Sequence, residues 1–303
     1  MVAPGGIAPD WIAVDWGTTR LRVWAMQGDA VLTARDSDKG MGTLTPDQFE
    51  PALLELVGDW LDPRPPVIAC GMVGARTGWA EAEYRAVPCP ALDPARATRP
   101  PVKDPRLQVH ILPGLSQLAP PDVMRGEETQ IAGFLADNPD FAGVLCLPGT
   151  HCKWVRIAQG QVLSFQTYMT GELYALISRQ SVLRLTIGAA RPDADAFAQA
   201  AAQALASPEQ VPAWLFPLRA AALLDGTGPE QTAGRLSGLL IGAEIAAARP
   251  LWQDARVAVI GAEELAGLYC RTLTTAGADA YQQDGAALVL AGLTAAASAL
   301  RTI

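Results

Sequence analysis

Two segments of this chain repeat one local pattern: an apolar strand ends in a Gly-Thr turn and the backbone returns at once as a second strand. The first runs through Trp11-Ile12-Ala13-Val14 to Asp15 and turns over Trp16-Gly17-Thr18-Thr19. It comes back over residues 20–26, where Leu21, Val23 and Ala25 share a face. The second runs through Gly143–Leu147, turns over Pro148-Gly149-Thr150-His151 and returns from Cys152 and Lys153. Two hairpin-led halves in one chain point to a duplicated α/β architecture.

Periodicity fills in the rest. Over 11–147 it predicts β-β-β-α-β-β-α-β, with a meander through Gln27-Gly28-Asp29 into a third strand. Apolar residues from Phe49 to Leu61 recur at helical spacing behind a capping box at Thr45-Pro46-Asp47-Gln48, with Pro51 as the alternative start. Strands are expected at 67–70, 107–112 and 143–147, a proline-rich loop at 86–106 and a helix at 127–137. In the second half, strands near 153–158 and 161–167 flank Gln159-Gly160, and helices dominate 171–248. A strand at 257–260 runs into Gly261 and a helix to about 276, and a last helix covers 286–300. The 303 residues therefore read as two domains, 1–147 and 148–303, with the final helix 286–303 free to pack back on the first.

Composition removes several classes of function. A net charge of −8 argues against nucleic-acid binding, which needs a basic face. With only His110 and His151, no multi-histidine metal cluster can be built. The five cysteines (Cys70, Cys89, Cys146, Cys152 and Cys270) form no Cys-x-x-Cys pair and read as reduced thiols. Residues 1–6 carry neither the basic nor the apolar region of a secretory signal, and the uncharged stretch 285–300 is a poor membrane span. A cytoplasmic protein is expected, with no membrane and no nucleic-acid partner, and the residues are compatible with a homo-oligomer.

The turns carry the chemistry. Gly17 lets a phosphate approach main-chain N–H groups, Thr18 and Thr19 add hydroxyl donors, and Asp15 suits a hydrated Mg²⁺. An ordinary hairpin turn accounts equally well for these residues taken alone. Gly149 and Thr150 repeat the arrangement, which is harder to obtain by chance. Neither a P-loop nor a Gly-x-Gly-x-x-Gly fingerprint occurs. His151 beside Cys152 does not make a thiol catalyst, because neighbours on a strand point to opposite faces. Gly71-Met72-Val73-Gly74-Ala75-Arg76 follows a strand and exposes backbone donors next to a cation, suiting a carboxylate; a plain glycine loop is the alternative. Lys153 gains weight only from its place after the second turn. Gly234, Gly238 and Gly242 line one helix face, for close approach of a ligand or for helix packing.

The runs Met124-Arg125-Gly126-Glu127-Glu128-Thr129-Gln130, Pro148-Gly149-Thr150-His151-Cys152-Lys153-Trp154 and Met169-Thr170-Gly171-Glu172-Leu173 are similar to those of 2-dehydro-3-deoxygalactonokinases. Gly71-Met72-Val73-Gly74 and Leu236-Ser237-Gly238-Leu239-Leu240-Ile241-Gly242-Ala243-Glu244 extend the resemblance over roughly residues 11–298. That family lies in the actin/sugar kinase/heat-shock-70 ATPase superfamily. The resemblance implies two ribonuclease H-like domains with an interdomain cleft for ATP and Mg²⁺. It also implies transfer of the γ-phosphoryl group to the 6-hydroxyl of 2-dehydro-3-deoxy-D-galactonate. The second turn of the superfamily often carries an Asp where this chain has Leu147-Pro148, which puts a metal-holding role there in question.

On this resemblance, Glu128 is the expected base with Glu127 its rival, each kept ionised by the helix amino terminus. Acidic residues favour first helical turns everywhere, so position alone does not single them out. Asp15, Gly17, Thr18, Thr19, Gly149, Thr150, Lys153 and Gly261 are expected at the nucleotide, with Asp15 toward the metal. Gly71, Met72, Val73, Gly74, Arg76, Arg125 and His151 are expected at the sugar acid. Rival functions are a 2-dehydro-3-deoxygluconate kinase, a phosphohydrolase of the same superfamily and a non-enzymatic ATP-responsive module. The acidic total then describes the exterior, with positive potential confined to Arg20, Arg76, Arg125, Lys153 and backbone N–H groups.

Overall fold

A computed structural model describes residues 7–302, so the run 1–6 read for targeting lies outside it. The chain divides into two compact units. The first runs to Phe141 and takes back Ala158–Ser164 and the chain from Gly285; the second comprises Ala142–Ile157 and Phe165–Asp284.

The first unit holds β1 (Trp11–Trp16), β2 (Leu21–Gln27), β3 (Ala30–Ser37), α1 (Phe49–Val57) and β4 (Pro66–Gly71). There follow β5 (Tyr84–Ala86), β6 (Cys89–Pro90), β7 (Gln108–Ile111), β8 (Gly114–Leu118), β9 (Pro121–Met124) and α2 (Glu127–Asp137). Its main sheet has the order β3-β2-β1-β4-β7, antiparallel between β1 and β2 and between β2 and β3, and parallel from β1 to β4 to β7. Because β1 is central, both its faces are covered. Ile12, Val14 and Trp16 pack with Phe49 and Leu53 of α1. Trp11 and Ala13 pack with Val289, Leu293 and Ala297 of the closing helix. Each large apolar side chain so buried contributes about 1.5–3 kcal/mol.

The capping box expected at Thr45 and Gln48 is present, on a 3₁₀ turn at Pro46–Gln48 that leads into α1. Pro51 then falls in the first helical turn, where its missing N–H has no intrahelical partner to lose. A small sheet, β5-β8-β9, is absent from the sequence expectation. It stands between strand and helix because Leu115 pairs with Met124, which delivers Arg125 and Gly126 to the start of α2.

The second unit holds β10 (Gly143–Leu147), β11 (Cys152–Ala158, all but its last residue), the latter half of β12 (Gln161–Tyr168), α3 (Thr170–Gln180), α4 (Arg184–Ile187) and α5 (Ala194–Ala206). It continues with α6 (Val211–Leu224), α7 (Pro229–Ala247), α8 (Arg249–Trp252), β13 (Arg256–Gly261), α9 (Glu263–Thr275) and β14 (Asp279–Asp284). The order β14-β13-β10-β11-β12 repeats that of the first unit, with β10 antiparallel to β11 and parallel to β13. Gly234, Gly238 and Gly242 turn out to serve helix packing: a Cβ at Gly238 would lie 2.3 Å from the carbonyl oxygen of Phe197 on α5.

The closing helix α10 (Gly285–Thr302) belongs to the first unit and lies against α2. The contact is backbone to backbone. A Cβ on Gly292 would stand 1.9 Å from the Thr129 carbonyl oxygen, and one on Gly133 2.0 Å from that of Leu288. Gly292→Ala therefore has to push α2 and α10 apart, at about 1–3 kcal/mol. We expect the melting temperature to fall by several degrees, whereas Gly58→Ala, with φ of −58° and nothing within 4 Å of its added Cβ, leaves it nearly unchanged.

Candidate active site

In the first unit the phosphate-type turn follows β1. Gly17 N–H donates to Arg20 O, closing the turn, while Gly42 N–H donates to Thr18 O and Met41 N–H to Gly17 O. Gly40 packs directly on this turn, since a Cβ there would lie 2.3 Å from the Thr19 carbonyl carbon. The loop is thus held from behind. Among the described residues the amides of Thr18 and Thr19 have no hydrogen-bond partner, and both residues are exposed. Asp15 accepts from Nε and Nη2 of Arg22 through Oδ2, while its Oδ1 lies 3.9 Å from the Cys70 thiol.

Next to it run Gly71 and the turn beyond. Trp16 is paired with Gly71 in the parallel register. Gly71 has φ of +89°, and a Cβ there would meet the Trp16 carbonyl oxygen at 2.6 Å, so only glycine fits. Gly126, at φ of +105°, backs onto Gly71 with 3.3 Å between its would-be Cβ and the Gly71 Cα. This close approach brings the amino terminus of α2 to the ends of β1 and β4. Val73 is fully buried among the core residues, leaving only its backbone to a ligand.

Glu128 is wholly buried in the first turn of α2. Its Oε2 accepts from Gly126 N–H at 2.6 Å and its Oε1 from the Thr129 hydroxyl at 3.3 Å. The expectation of a low, ionised carboxylate is reversed here. Burial, and then the neighbouring Glu127, push the carboxyl up to about 8 against the backbone donors. Glu127 is half-buried and accepts from Arg125 N–H.

Arg125 is the strongest feature of this unit. Its guanidinium is 8% exposed, donates from Nη2 to Ala82 O at 2.7 Å and stacks 4.2 Å from the Tyr84 ring centroid. Nε and Nη1 are buried without a hydrogen-bond partner. A buried cation with two open donors is costly unless an anion completes it. Arg76, by contrast, is 88% exposed and only 4.0 Å from Glu81, so it is not gathered with the other residues. Arg20 also points to solvent, paired with Asp36.

In the second unit a cavity of about 430 Å³ opens beside the second turn, within the size range of small-molecule sites. Gly149 and Thr150 form one end; Leu240, Ile241, Leu265 and Leu268 supply apolar wall. The turn is held by α3: a Cβ on Gly171 would lie 2.2 Å from Gly149 O, and Glu172 N–H donates to Thr150 O. Gly261 lies against Pro148, 3.5 Å from its carbonyl oxygen by the same measure, and the helix after it forms the opposite wall. His151 hydrogen-bonds Glu172 at 2.6 Å and is half exposed. Lys153 is buried, with Nζ donating to Thr167 at 2.8 Å. Tyr84 and Tyr269 escaped the sequence reading, and Thr170 and Glu244 entered it only inside the family-like runs, with no role of their own.

Strand order, duplicated turns and a cavity beside the second turn define the actin-like ATPase/sugar kinase fold. The activator of 2-hydroxyisocaproyl-CoA dehydratase from Clostridium difficile, solved with bound ADPNP, shares that fold at a TM-score of 0.51 and 10% identity, with 97% of each chain covered. The family description 2-keto-3-deoxy-galactonokinase matches residues 15–296, and the chain belongs to this family. A Rhizobium meliloti (strain 1021) protein assigned as a 2-dehydro-3-deoxygalactonokinase is 40% identical over 96% of this chain and 97% of its own. The 2-dehydro-3-deoxygalactonokinase of Escherichia coli K12 is 36% identical over 96% and 98%. A crystal structure from Sinorhizobium meliloti, assigned the same activity, aligns with a TM-score of 0.89 at 39% identity, covering 97% of this chain and all of that one.

The Glu128 carboxyl titrates near 8 when folded against an ordinary 4.5, so the folded chain holds a proton that the unfolded chain releases between those values. Its contribution to stability therefore falls as pH rises from about 4.5 to about 8. Glu128→Gln removes that loss. In thermal melts the variant should gain on the parent as pH is raised from 5 to 8, ending several degrees higher.

Proposed function

We propose that this chain phosphorylates 2-dehydro-3-deoxy-D-galactonate at its 6-hydroxyl with ATP, releasing the 6-phosphate and ADP, in D-galactonate catabolism. The observation that carries the reading is the Arg125 guanidinium, buried over Tyr84 with Nε and Nη1 open, three residues before the buried Glu128. A planar fork with two free donors suits a carboxylate, the one charged group of the sugar acid. The Gly71–Gly74 backbone lies alongside, since a Cβ on Gly74 would touch Arg125 Nη1 at 2.8 Å.

Each unit supplies one part of the chemistry. In the second, the cavity takes the nucleoside against Leu240, Leu265 and Leu268, and Gly149 and Thr150 face its phosphates. In the first, the open amides of Thr18 and Thr19 receive phosphoryl oxygens as charge shifts during transfer. Glu128 accepts the proton of the 6-hydroxyl, and in a loose transition state it does so late. A carboxyl titrating near 8 is a stronger base than an ordinary glutamate once ionised.

Magnesium fits as an ion carried in with the nucleotide. Asp15 offers one carboxylate whose Oδ2 is engaged by Arg22, and no group of three acidic, histidine or cysteine side chains forms a cage among the described residues. That set suits a cation keeping most of its waters, with Asp15 holding it through them. The ion would supply charge neutralisation at the β- and γ-phosphates.

The five thiols are unpaired and no helix among the described residues is long and apolar enough to cross a membrane, which supports a cytoplasmic enzyme.

Glu128→Gln should lower kcat by about 10²- to 10⁴-fold with little change in the KM for ATP. In the parent, kcat/KM for the sugar acid should rise with pH through about 8, and that limb should vanish in the variant. A kcat that drops only in Glu127→Gln moves the base to Glu127. Arg125→Lys keeps the charge but loses the fork, and steady-state assays should then show a KM for the sugar acid at least about tenfold higher. An unchanged KM would place the carboxylate elsewhere.

A further inference from the structure

Glu244 lies on α7 at 3% exposure, behind the cavity wall and outside the chemistry assigned above. Its carboxylate accepts from Trp154 Nε1 at 2.7 Å through Oε1 and from the Tyr269 hydroxyl at 2.7 Å through Oε2. The Thr170 hydroxyl and the Cys152 thiol also hydrogen-bond to it. Among the described residues no Lys, Arg or His lies within ion-pair distance of it. A buried carboxylate held only by neutral donors is seldom retained for stability, since apolar groups of equal volume serve at least as well. What it does well is fix directions, because four donors must converge on two oxygens.

The donors come from three elements around the cavity. Trp154 and Cys152 are on β11, the strand that leaves the second phosphate turn. Thr170 opens α3 and itself lines the cavity, and the next two residues clamp the turn: Gly171 seats against Gly149 O and Glu172 N–H bonds Thr150 O. Tyr269 lines the opposite wall from α9.

We infer that Glu244 is a positioning residue of the nucleotide site: one buried carboxylate on α7 sets the phosphate turn and the α9 wall at the spacing that ATP requires. The inference rests on the reading of this cavity as the nucleotide site. Burial raises the carboxyl above its ordinary value while its four donors pull it down, in keeping with a group under tension between solvation and geometry. An amide in its place has one acceptor oxygen and brings two N–H groups toward donors, so the convergence breaks without loss of volume.

Glu244→Gln should raise the KM for ATP, and the Kd for the non-hydrolysable analogue AMPPNP measured by calorimetry, by about tenfold or more. The KM for the sugar acid and kcat at saturating ATP should stay within about threefold of the parent. A folded variant with an unchanged KM for ATP overturns the inference, as does one in which both KM values and kcat worsen together. Should that variant not fold, Trp154→Phe removes a donor that does not line the cavity. The same selective rise, about threefold, is then expected, and its absence overturns the inference. Leu240→Trp separates the two readings by filling the cavity. If AMPPNP binds the Trp variant as it binds the parent, the nucleotide site is elsewhere and the failure lies with the cavity.

Discussion

The close approach of Gly126 to Gly71 is the contact on which the first unit's site depends. Parallel pairing of β1 with β4 puts the ends of two buried strands side by side, with Trp16 opposite Gly71. Any side chain at Gly71 would strike the Trp16 carbonyl, and any at Gly126 would press on Gly71. With both positions bare, α2 begins directly over the strand ends. The Arg125 cation and the Glu128 carboxyl are then buried within one turn of each other, with Nε and Nη1 of Arg125 lacking a protein partner. Such a pair is expensive to hold and is the kind of cost that binding a charged substrate repays.

The second unit uses the same sheet order for a different purpose. Its central strand again ends in a Gly-Thr turn, but the following hairpin leads into a helical stack, α3 to α7, where that of the first unit leads to the single helix α1. Backbone contact of α7 with α5 is tight through Gly234, Gly238 and Gly242, which leaves the other side of α7 to line a cavity with Ser237, Leu240 and Ile241. One duplicated scaffold thus presents charge and backbone donors in one half, and an apolar hole with a phosphate turn in the other.

Much of this was legible residue by residue. The hairpin-led halves, the capping box at Thr45, the strand 143–147 and the helix at 127–137 follow from period and turn chemistry, which are local properties. The sheet β5-β8-β9 was not legible as a sheet, because β5 borders the proline-rich loop and its pairing is set by a strand distant in the chain, Tyr84 lying opposite Gly114. Arg76 read as well as Arg125 in the chain. Three dimensions separate them, one reaching solvent and the other sealed under Ala82 and Tyr84. The glycine ladder of α7 read equally as a ligand face or a packing face, and only the position of α5 decides it.

The sequence by itself determined the duplicated strand–turn–hairpin, the two phosphate-type turns and the family motifs, because these depend on neighbours a few residues apart. Only the tertiary structure decided the protonation of Glu128. A helix amino terminus pulls a carboxyl down, and that much is visible in Gly126-Glu127-Glu128; burial pushes it up, and burial is a property of everything packed around it. The larger influence was the one the chain order does not carry.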